Sequence, residues 1–326
     1  MKSNTNTKVI VFHHPSIASK SAAIHHHHRL WFIFFLSLFT LVFSFTLFTS
    51  SLHSSSVVSP SFPPPISAAL LQYVSSASAA ANSSMSLSEL SAVSTAIRSL
   101  SGVDGGVNLL VFGLTHESLL WRSINFPGRT VFVDDSSYAV SKFEQTNPGV
   151  EAYDIVFSSR VSQAGELLRY YRTRHDCRPV QNLLFSDCEL AINDLPNFFY
   201  DTDWDVILVD GPSGFSGESP GRMSAIFTSA VLARSKREGK NKKTDVFVHE
   251  FGRTVERVYS EEFLCEENLV EVVGELAHFS VEAEAGGGGT GSPEIIRFCR
   301  NSTRLSEPFA PVIGGEDDED GGVNAD

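Results

Sequence analysis

Five short apolar runs set the terms for this chain: VNLLVFG (107–113), RTVFVD (129–134), EAYDIVF (151–157), DVILVD (205–210) and TDVFVH (244–249). A strand with one wet face alternates apolar and polar side chains, and these runs are too continuous for that. They read as strands buried on both faces, as in a parallel sheet covered by helices. Helix-like segments near 116–124, 137–147, 160–172, 222–236 and 253–263 alternate with them. Strand–helix alternation of this kind predicts an α/β fold with a mostly parallel, doubly wound sheet. NLLFSDC (182–188) competes with EAYDIVF for the third strand position; EAYDIVF is preferred, because a stretch closed by cysteines suits an insertion better than a core strand.

The folded part is expected to run from about 86 to 305, enough for one large α/β domain with a single core. Ser86 and Glu89 form an S-x-x-E capping box, after which Leu87, Leu90, Val93, Ile97 and Leu100 line one helical face. Residues 49–85 are rich in Ser, Ala and Pro, with Pro60 and three prolines at 63–65, and are expected to form a disordered stem. The acidic stretch at 306–326, with its run at 316–320, is expected to be a solvated, disordered tail.

Before the stem, residues 30–48 read LWFIFFLSLFTLVFSFTLF, without a charge. As a helix they would span roughly 28 Å, close to the ~30 Å hydrocarbon core of a bilayer. A cleaved signal peptide has a shorter apolar core and a small-residue cleavage site, so an uncleaved transmembrane signal anchor is the expected reading. Lys2, Lys8, Lys20 and Arg29 precede the span, and no charged residue separates it from Glu89. Positive charge stays cytosolic, which makes 1–29 a cytosolic tail and the domain lumenal, a single-pass type II topology. Four consecutive histidines at 25–28 lack the folded surroundings that a metal site requires.

The formal net charge of −13 argues against nucleic acid, whose binding needs a basic footprint. All four cysteines, Cys177, Cys188, Cys265 and Cys299, lie in the expected lumenal part, where disulfides persist. Four cysteines allow three connectivities; proximity favours Cys177 with Cys188, leaving Cys265 for Cys299. Zinc is the weaker reading, since no C-x-x-C is present. Asn82 and Asn301 open N-x-S/T sequons at the two edges of the domain.

In doubly wound folds ligands bind outside the carboxyl ends of the strands, so the residues closing each run matter most: Gly113, Asp134, Asp210 and His249. Gly113 allows either a close ligand approach or a tight turn. Asp134 lies 21 residues further on, near the spacing of a ribose-binding carboxylate, although it and Asp135 are also placed to cap a helix. Asp210 begins Asp-Gly-Pro and is a general base, a substrate anchor or a turn-holding carboxylate. Arg222, after Ser219-Pro220-Gly221, fits an anion site at a helix start or a plain ion pair. His249 is a structural histidine unless it faces Asp210 across the cleft, in which case it shares or replaces the base.

At these same residues the chain resembles a known family. FGLTHESLLW (112–121), GRTVFVDD (128–135), WDVILVDGP (204–212), PGRMSAIFTSAVLARS (220–235), TDVFVHE (244–250) and EEFLCEENLVE (261–271) are similar to the plant polysaccharide-biosynthesis family that includes glucuronoxylan 4-O-methyltransferases and the irregular-xylem-fifteen proteins. The resemblance covers about 86 to 300. It implies a Rossmann-like methyltransferase fold and a Golgi membrane location in which Gly113 and Asp134 hold S-adenosylmethionine and Asp210 faces the methyl donor or acceptor. The acceptor would be the glucuronic acid side chain of xylan, with Arg222 as a clamp for its carboxylate. Were 182–188 the third strand, Asp187 would become an adenine contact. Methyltransferase members look like Gly-Leu-Gly at 113–115, whereas this chain has Thr115, as the irregular-xylem-fifteen branch does; CRPVQNLLFSDC (177–188) also resembles that branch, and Glu250 stands where Asp is usual. The branch is associated with making normal xylan in secondary walls. The expected function is thus glucuronoxylan biosynthesis by a methyltransferase-like protein that is not a chain-extending glycosyltransferase. It is either an active O-methyltransferase or a non-catalytic scaffold alongside other xylan biosynthesis proteins.

Overall fold

The computed structural model describes residues 22–52, 63–78, 85–101, 106–237, 242–284 and 297–300. Helix α1 (Ala22–Leu52) belongs to a unit of its own, Met1–Val58. Its side chains are described for residues 30–45, and the rings of Trp31, Phe34 and Phe35 meet edge-on or tilted along its surface. Sixteen residues give about 24 Å of helix, and among the described residues no helix is long and apolar enough to cross a membrane. The side chains of the histidines at 25–28 and of residues 46–48 of the expected anchor lie outside what is described, as do Asn82, Asn301 and the acidic tail.

The second unit holds α2 (Pro64–Ser78), α3 (Leu87–Leu100), β1 (Leu109–Phe112), α4 (Ser118–Ile124), β2 (Thr130–Asp134), α5 (Ser137–Thr146), β3 (Glu151–Asp154), α6 (Ala164–Tyr171), α7 (Asn197–Asp201), β4 (Val206–Val209), α8 (Met223–Arg234), β5 (Lys243–Val248), α9 (Thr254–Ser260), β6 (Leu269–Val273) and β7 (Leu276–Glu282). The seven strands form one sheet in the order β3-β2-β1-β4-β5-β7-β6. The first five are parallel, with Leu109 level with both Thr130 and Val206, and β7 runs antiparallel to β5 and β6. This is an α/β fold with a mostly parallel, doubly wound sheet. EAYDIVF supplies β3, while 183–185 makes a short 3-10 turn that leaves Asp187 exposed and off the sheet.

Both faces of the sheet are buried along β1, β2, β4 and most of β5, as those continuous runs require. The edge strand β3 keeps Asp154 exposed and Glu151 and Tyr153 half-buried. Leu110, Phe112, Val131, Val133, Ile207, Val209, Val246 and Val248 point into a core shared with α6, α8 and α9. Their neighbours Leu109, Val111, Phe132, Val206, Leu208 and Phe247 point the other way, against α3, α4 and α5. Helix α8 is buried along its whole length, which is why MSAIFTSAVLAR shows no polar face. Its polar side chains are satisfied internally: Thr228 Oγ1 accepts from the Ile192 N–H at 3.1 Å, and Arg234 donates to the carbonyls of Ala230 and Phe298.

Two features depart from expectation. The segment read as a stem carries α2, whose Leu71 is buried in the α3/α4 core and whose buried Ser67 accepts from Arg98 at 2.8 Å. An apolar stripe of Leu70, Leu71 and Val74 is enough to dock it. The β6–β7 hairpin, which turns on Gly274 at φ +59°, was not anticipated. Glu89 ties the hairpin to the start of α3: one carboxylate oxygen closes the capping box with the Ser86 N–H, and the other accepts the Glu275 N–H of the hairpin turn, each at 2.6 Å.

Candidate functional site

The parallel ladder extends one residue past β1, β4 and β5. Gly113 donates to the Val133 carbonyl at 2.7 Å, Asp210 to Phe112 at 2.9 Å and His249 to Val209 at 3.0 Å. Gly113, Asp210 and His249 therefore stand in a row on three adjacent strands at the carboxyl edge, with Asp134 ending β2 beside them.

Gly113 has φ +104°, and a Cβ there would lie 2.9 Å from the backbone of Asp210 and Gly211. At Gly211 a Cβ would lie 2.6 Å from the Gly113 Cα. The two glycines let β1 and β4 leave the sheet in backbone contact, a demand of packing that exists without any ligand. Asp134 is half-buried; its Oδ2 accepts from Leu114 N–H at 2.7 Å and its Oδ1 from Ser136 N–H at 2.8 Å. It thus ties the loop after β1 to the start of α5, whose N-cap is Ser136 and not an aspartate. Thr115 lies in that loop, half-buried, with its N–H on Ser118 Oγ at 3.0 Å. Among the described residues only Glu250 and Cys265 combine a side chain with positive φ, so the backbone at 115 does not demand glycine.

Asp210 and His249 face each other. Asp210 Oδ1 lies 2.7 Å from His249 Nδ1, and both residues are buried. Burial works against a charged imidazole, but the hydrogen bond and negative charge of Asp210 outweigh it, and the His249 pKa is raised above its ordinary value. Arg222 completes the cluster. It is only 2% exposed and lies 2.7 Å from Glu250 and 3.5 Å from Asp210, with donors on the carbonyls of His249 and Asp210. Glu250 in turn accepts from Arg253 at 2.7 Å. Its φ of +59° is a conformation costly for a side-chain-bearing residue, and it aims the carboxylate at the two arginines.

The expected role of Arg222 as a clamp for a substrate carboxylate is corrected by this geometry. Arg222 is the N-cap residue of α8 and its guanidinium is enclosed between Asp210 and Glu250, so its charge is balanced inside the protein. Glu89, Arg253 and Glu256 belong to the same region and were not singled out as site residues. The one legible signal was the charge-dense GRTVER at 252–257 directly after a strand end. Glu256 is buried, and burial pushes its carboxyl above the ordinary carboxylate range despite the opposing charges of Arg222 and Arg253. Cys177 is bonded to Cys188 and Cys265 to Cys299, and all four belong to the core on the α6, α8 and α9 side of the sheet.

Fold and edge together define a doubly wound α/β protein with an acid–imidazole pair buried at the carboxyl edge of its sheet. A family model described as IRX15/IRX15L/GXM matches residues 88–279, and the chain belongs to that family. It is 46% identical to Protein IRX15-LIKE of Arabidopsis thaliana over 94% of this chain and 98% of that protein. It is 38% identical to Glucuronoxylan 4-O-methyltransferase 3 of Arabidopsis thaliana over 63% of this chain and 62% of that one. Among solved structures, a TehB-like SAM-dependent methyltransferase from Corynebacterium glutamicum aligns with a TM-score of 0.32 at 14% identity, covering 68% of this chain and 100% of that one.

Proposed function

We propose that this chain acts in glucuronoxylan biosynthesis in plant secondary walls, as a methyltransferase-like protein that binds S-adenosylmethionine at the carboxyl edge of its sheet. The reading rests on the Asp210–His249 contact at 2.7 Å, at the edge where this fold type takes its ligands. Its setting is a family whose named members include glucuronoxylan 4-O-methyltransferases and arabinogalactan O-methyltransferases. We place the domain in the Golgi lumen behind a single-pass anchor at 30–48. In support, the uncharged residues lie within a continuous helix, with Lys2, Lys8, Lys20 and Arg29 before them and no charged residue between them and Glu89.

The edge fits the cofactor. Each oxygen of Asp134 holds one backbone N–H, and a carboxylate with about four acceptor positions keeps capacity for ribose hydroxyls. The glycine pair at 113 and 211 keeps side chains out of the crossing beside it. When bound, S-adenosylmethionine supplies an electrophilic methyl group. The chain contributes orientation and a place for the proton: with Nδ1 held by Asp210, His249 is left Nε2 to accept the proton of the acceptor hydroxyl, and Asp210 balances the imidazolium that results. Labelled methyl should pass from S-adenosylmethionine to glucuronoxylan oligosaccharides with the wild type and fail in Asp210→Ala. Full activity in that variant removes Asp210 from the site.

A second reading, a non-catalytic member of the xylan synthesis machinery, is favoured by one observation. Thr115 places a half-buried side chain in the loop that Asp134 holds, where the methyltransferase pattern has glycine. A chain of this kind keeps the fold and binds no S-adenosylmethionine.

A further inference from the structure

The charges gathered behind the carboxyl edge do not cancel. Two guanidinium groups, Arg222 and Arg253, meet three carboxyls, Asp210, Glu250 and Glu256, with the His249 imidazole beside them. A further carboxylate, Glu89, acts on His249 from α3, but its two oxygens are held by the Ser86 and Glu275 N–H groups at a helix start, where a negative charge is favoured. With the carboxyls ionised and the imidazole neutral, the cluster carries one negative charge too many. A buried excess charge draws a proton, and the proton has His249 or a carboxyl to go to.

The geometry separates the three carboxyls. Asp210 lies 2.7 Å from His249 Nδ1 and 3.5 Å from Arg222. Glu250 accepts from Arg253 and lies 2.7 Å from Arg222. Glu256, on α9, is 1% exposed; Arg222, Arg253 and Glu250 all act on it, yet the ion pairs of the two arginines go to the other carboxyls. Its Oε1 is buried without a hydrogen-bond partner. The loop between β4 and α8 passes over that oxygen, which lies 3.1 Å from where a Cβ on Gly214 would be. Gly221 donates to Ser213, Ser162 to Gly217 and Val161 to Ser219, each at 2.9 Å, and these bonds fasten the loop. Its acidic residue, Glu218, is paired with Arg160. Nη1 of Arg253 reaches the same glycine at 3.5 Å and is not bonded to Oε1. A carboxylate keeps its charge in an interior when it is paired or hydrogen-bonded, and Oε1 is neither. Glu256 is therefore the carboxyl most easily neutralised.

We propose that Glu256 is a neutral carboxylic acid in the folded chain and holds the extra proton of the cluster, which leaves His249 free to act as a base. Glu256 acts as a positioning residue, on His249 through Arg222, whose charge bears on both. This rests on the reading of His249 as the base and deepens it.

The test is urea unfolding of the full chain across pH for wild type, Glu256→Gln and Glu256→Met. Above 4.5, the ordinary glutamic value, the unfolded chain has released a proton that the folded chain keeps, so the wild type weakens as pH rises. Neither variant has that proton to keep. The folded-to-unfolded ratio of each variant, relative to the wild type, is expected to rise by up to about tenfold per pH unit and to level off once the folded carboxyl ionises. The slope carries the result, so a packing defect in one variant displaces its curve without changing the outcome. A ratio that stays flat, or falls as it would on losing an ionised partner, overturns the proposal. NMR of the His249 imidazole gives a second readout. Glu256→Gln exchanges one neutral group for another and should leave the imidazole midpoint within about 0.3 pH units; a fall of about one unit reveals a lost negative charge and overturns the proposal as well. Methyl transfer from S-adenosylmethionine is assayed separately. If the ratio rises while no methyl is transferred, Glu256 keeps its proton and the reading of His249 as base falls; if methyl is transferred while the ratio stays flat, that reading stands without Glu256.

Discussion

Replacing Gly113 by alanine separates packing from ligand approach as the reason for a glycine there. The backbone sits at φ +104°, outside the conformations that a side-chain-bearing residue adopts readily, a strain of about 1–3 kcal/mol. The new Cβ would also lie 2.9 Å from three backbone atoms of Asp210 and Gly211. Backbone cannot rotate away as a side chain can, so β1 and β4 must part, at a further cost of about 1–3 kcal/mol. Together these give a loss of about 2–6 kcal/mol, a large fraction of the about 5–15 kcal/mol that holds a domain folded. Gly211→Ala carries the packing cost without the strain, because Gly211 is not among the residues with positive φ, and should fall nearer the lower figure. Urea unfolding of the purified variants measures both. A Gly113→Ala protein within about 0.5 kcal/mol of the wild type would refute the reasoning, leaving ligand approach as the only use of that glycine.

Further outcomes follow from the charge cluster and the disulfides. Arg222→Ala leaves Asp210 and Glu250 without their buried cation and should cost about 3–5 kcal/mol in the same unfolding assay, whereas a surface arginine such as Arg237 should be nearly silent. The raised pKa of His249 means that the folded chain holds its proton longer than the unfolded one. Its contribution is fully present below the ordinary imidazole value of 6.5 and is lost as pH rises through the higher folded value. The stability difference between wild type and His249→Asn should therefore shrink across that window, and a difference that grows with pH would contradict the assignment. Cys265–Cys299 spans 34 positions and Cys177–Cys188 only 11, so loop closure gives about 3.8 against about 2.8 kcal/mol. Paired serine substitutions should rank in that order by unfolding midpoint.

Much of the sheet was legible because burial on both faces leaves a mark that a sequence shows directly. The runs from Leu109, Thr130, Val206 and Thr244 have no polar alternation, and each became a strand at or within two residues of the expected place. The β6–β7 hairpin was not legible because LVEVV at 269–273 is an edge strand with mostly exposed side chains, which removes the apolar signal. Its one clue was Gly274-Glu275 between two β-prone runs, a glycine-first hairpin turn. Helix α2 was hidden by composition, since alanine and serine dominate a segment whose docking needs only three apolar residues.

The edge residues divide in the same way. Gly113, Asp134, Asp210 and His249 were found because strand ends are local features. That Asp210 touches His249 depends on the β4–β5 register across a separation of 39 positions, which no local pattern encodes. Arg222 looked like an anion site because a proline, a glycine and an arginine opened a helix, and nothing in those residues foretold that Glu250 would turn back at positive φ to meet it. Thr115 is the one place where the sequence gives a sharper warning than the fold: the loop accommodates it without backbone strain, so its effect is on the space at the carboxyl edge of the sheet.

Calorimetric titration of the full chain with S-adenosylmethionine tests the central claim most directly. The account predicts saturable binding of one molecule per chain, lost in Asp134→Asn, whose side-chain nitrogen cannot accept a hydrogen bond. A folded wild-type protein that takes up no S-adenosylmethionine would contradict it and leave the non-catalytic reading in its place.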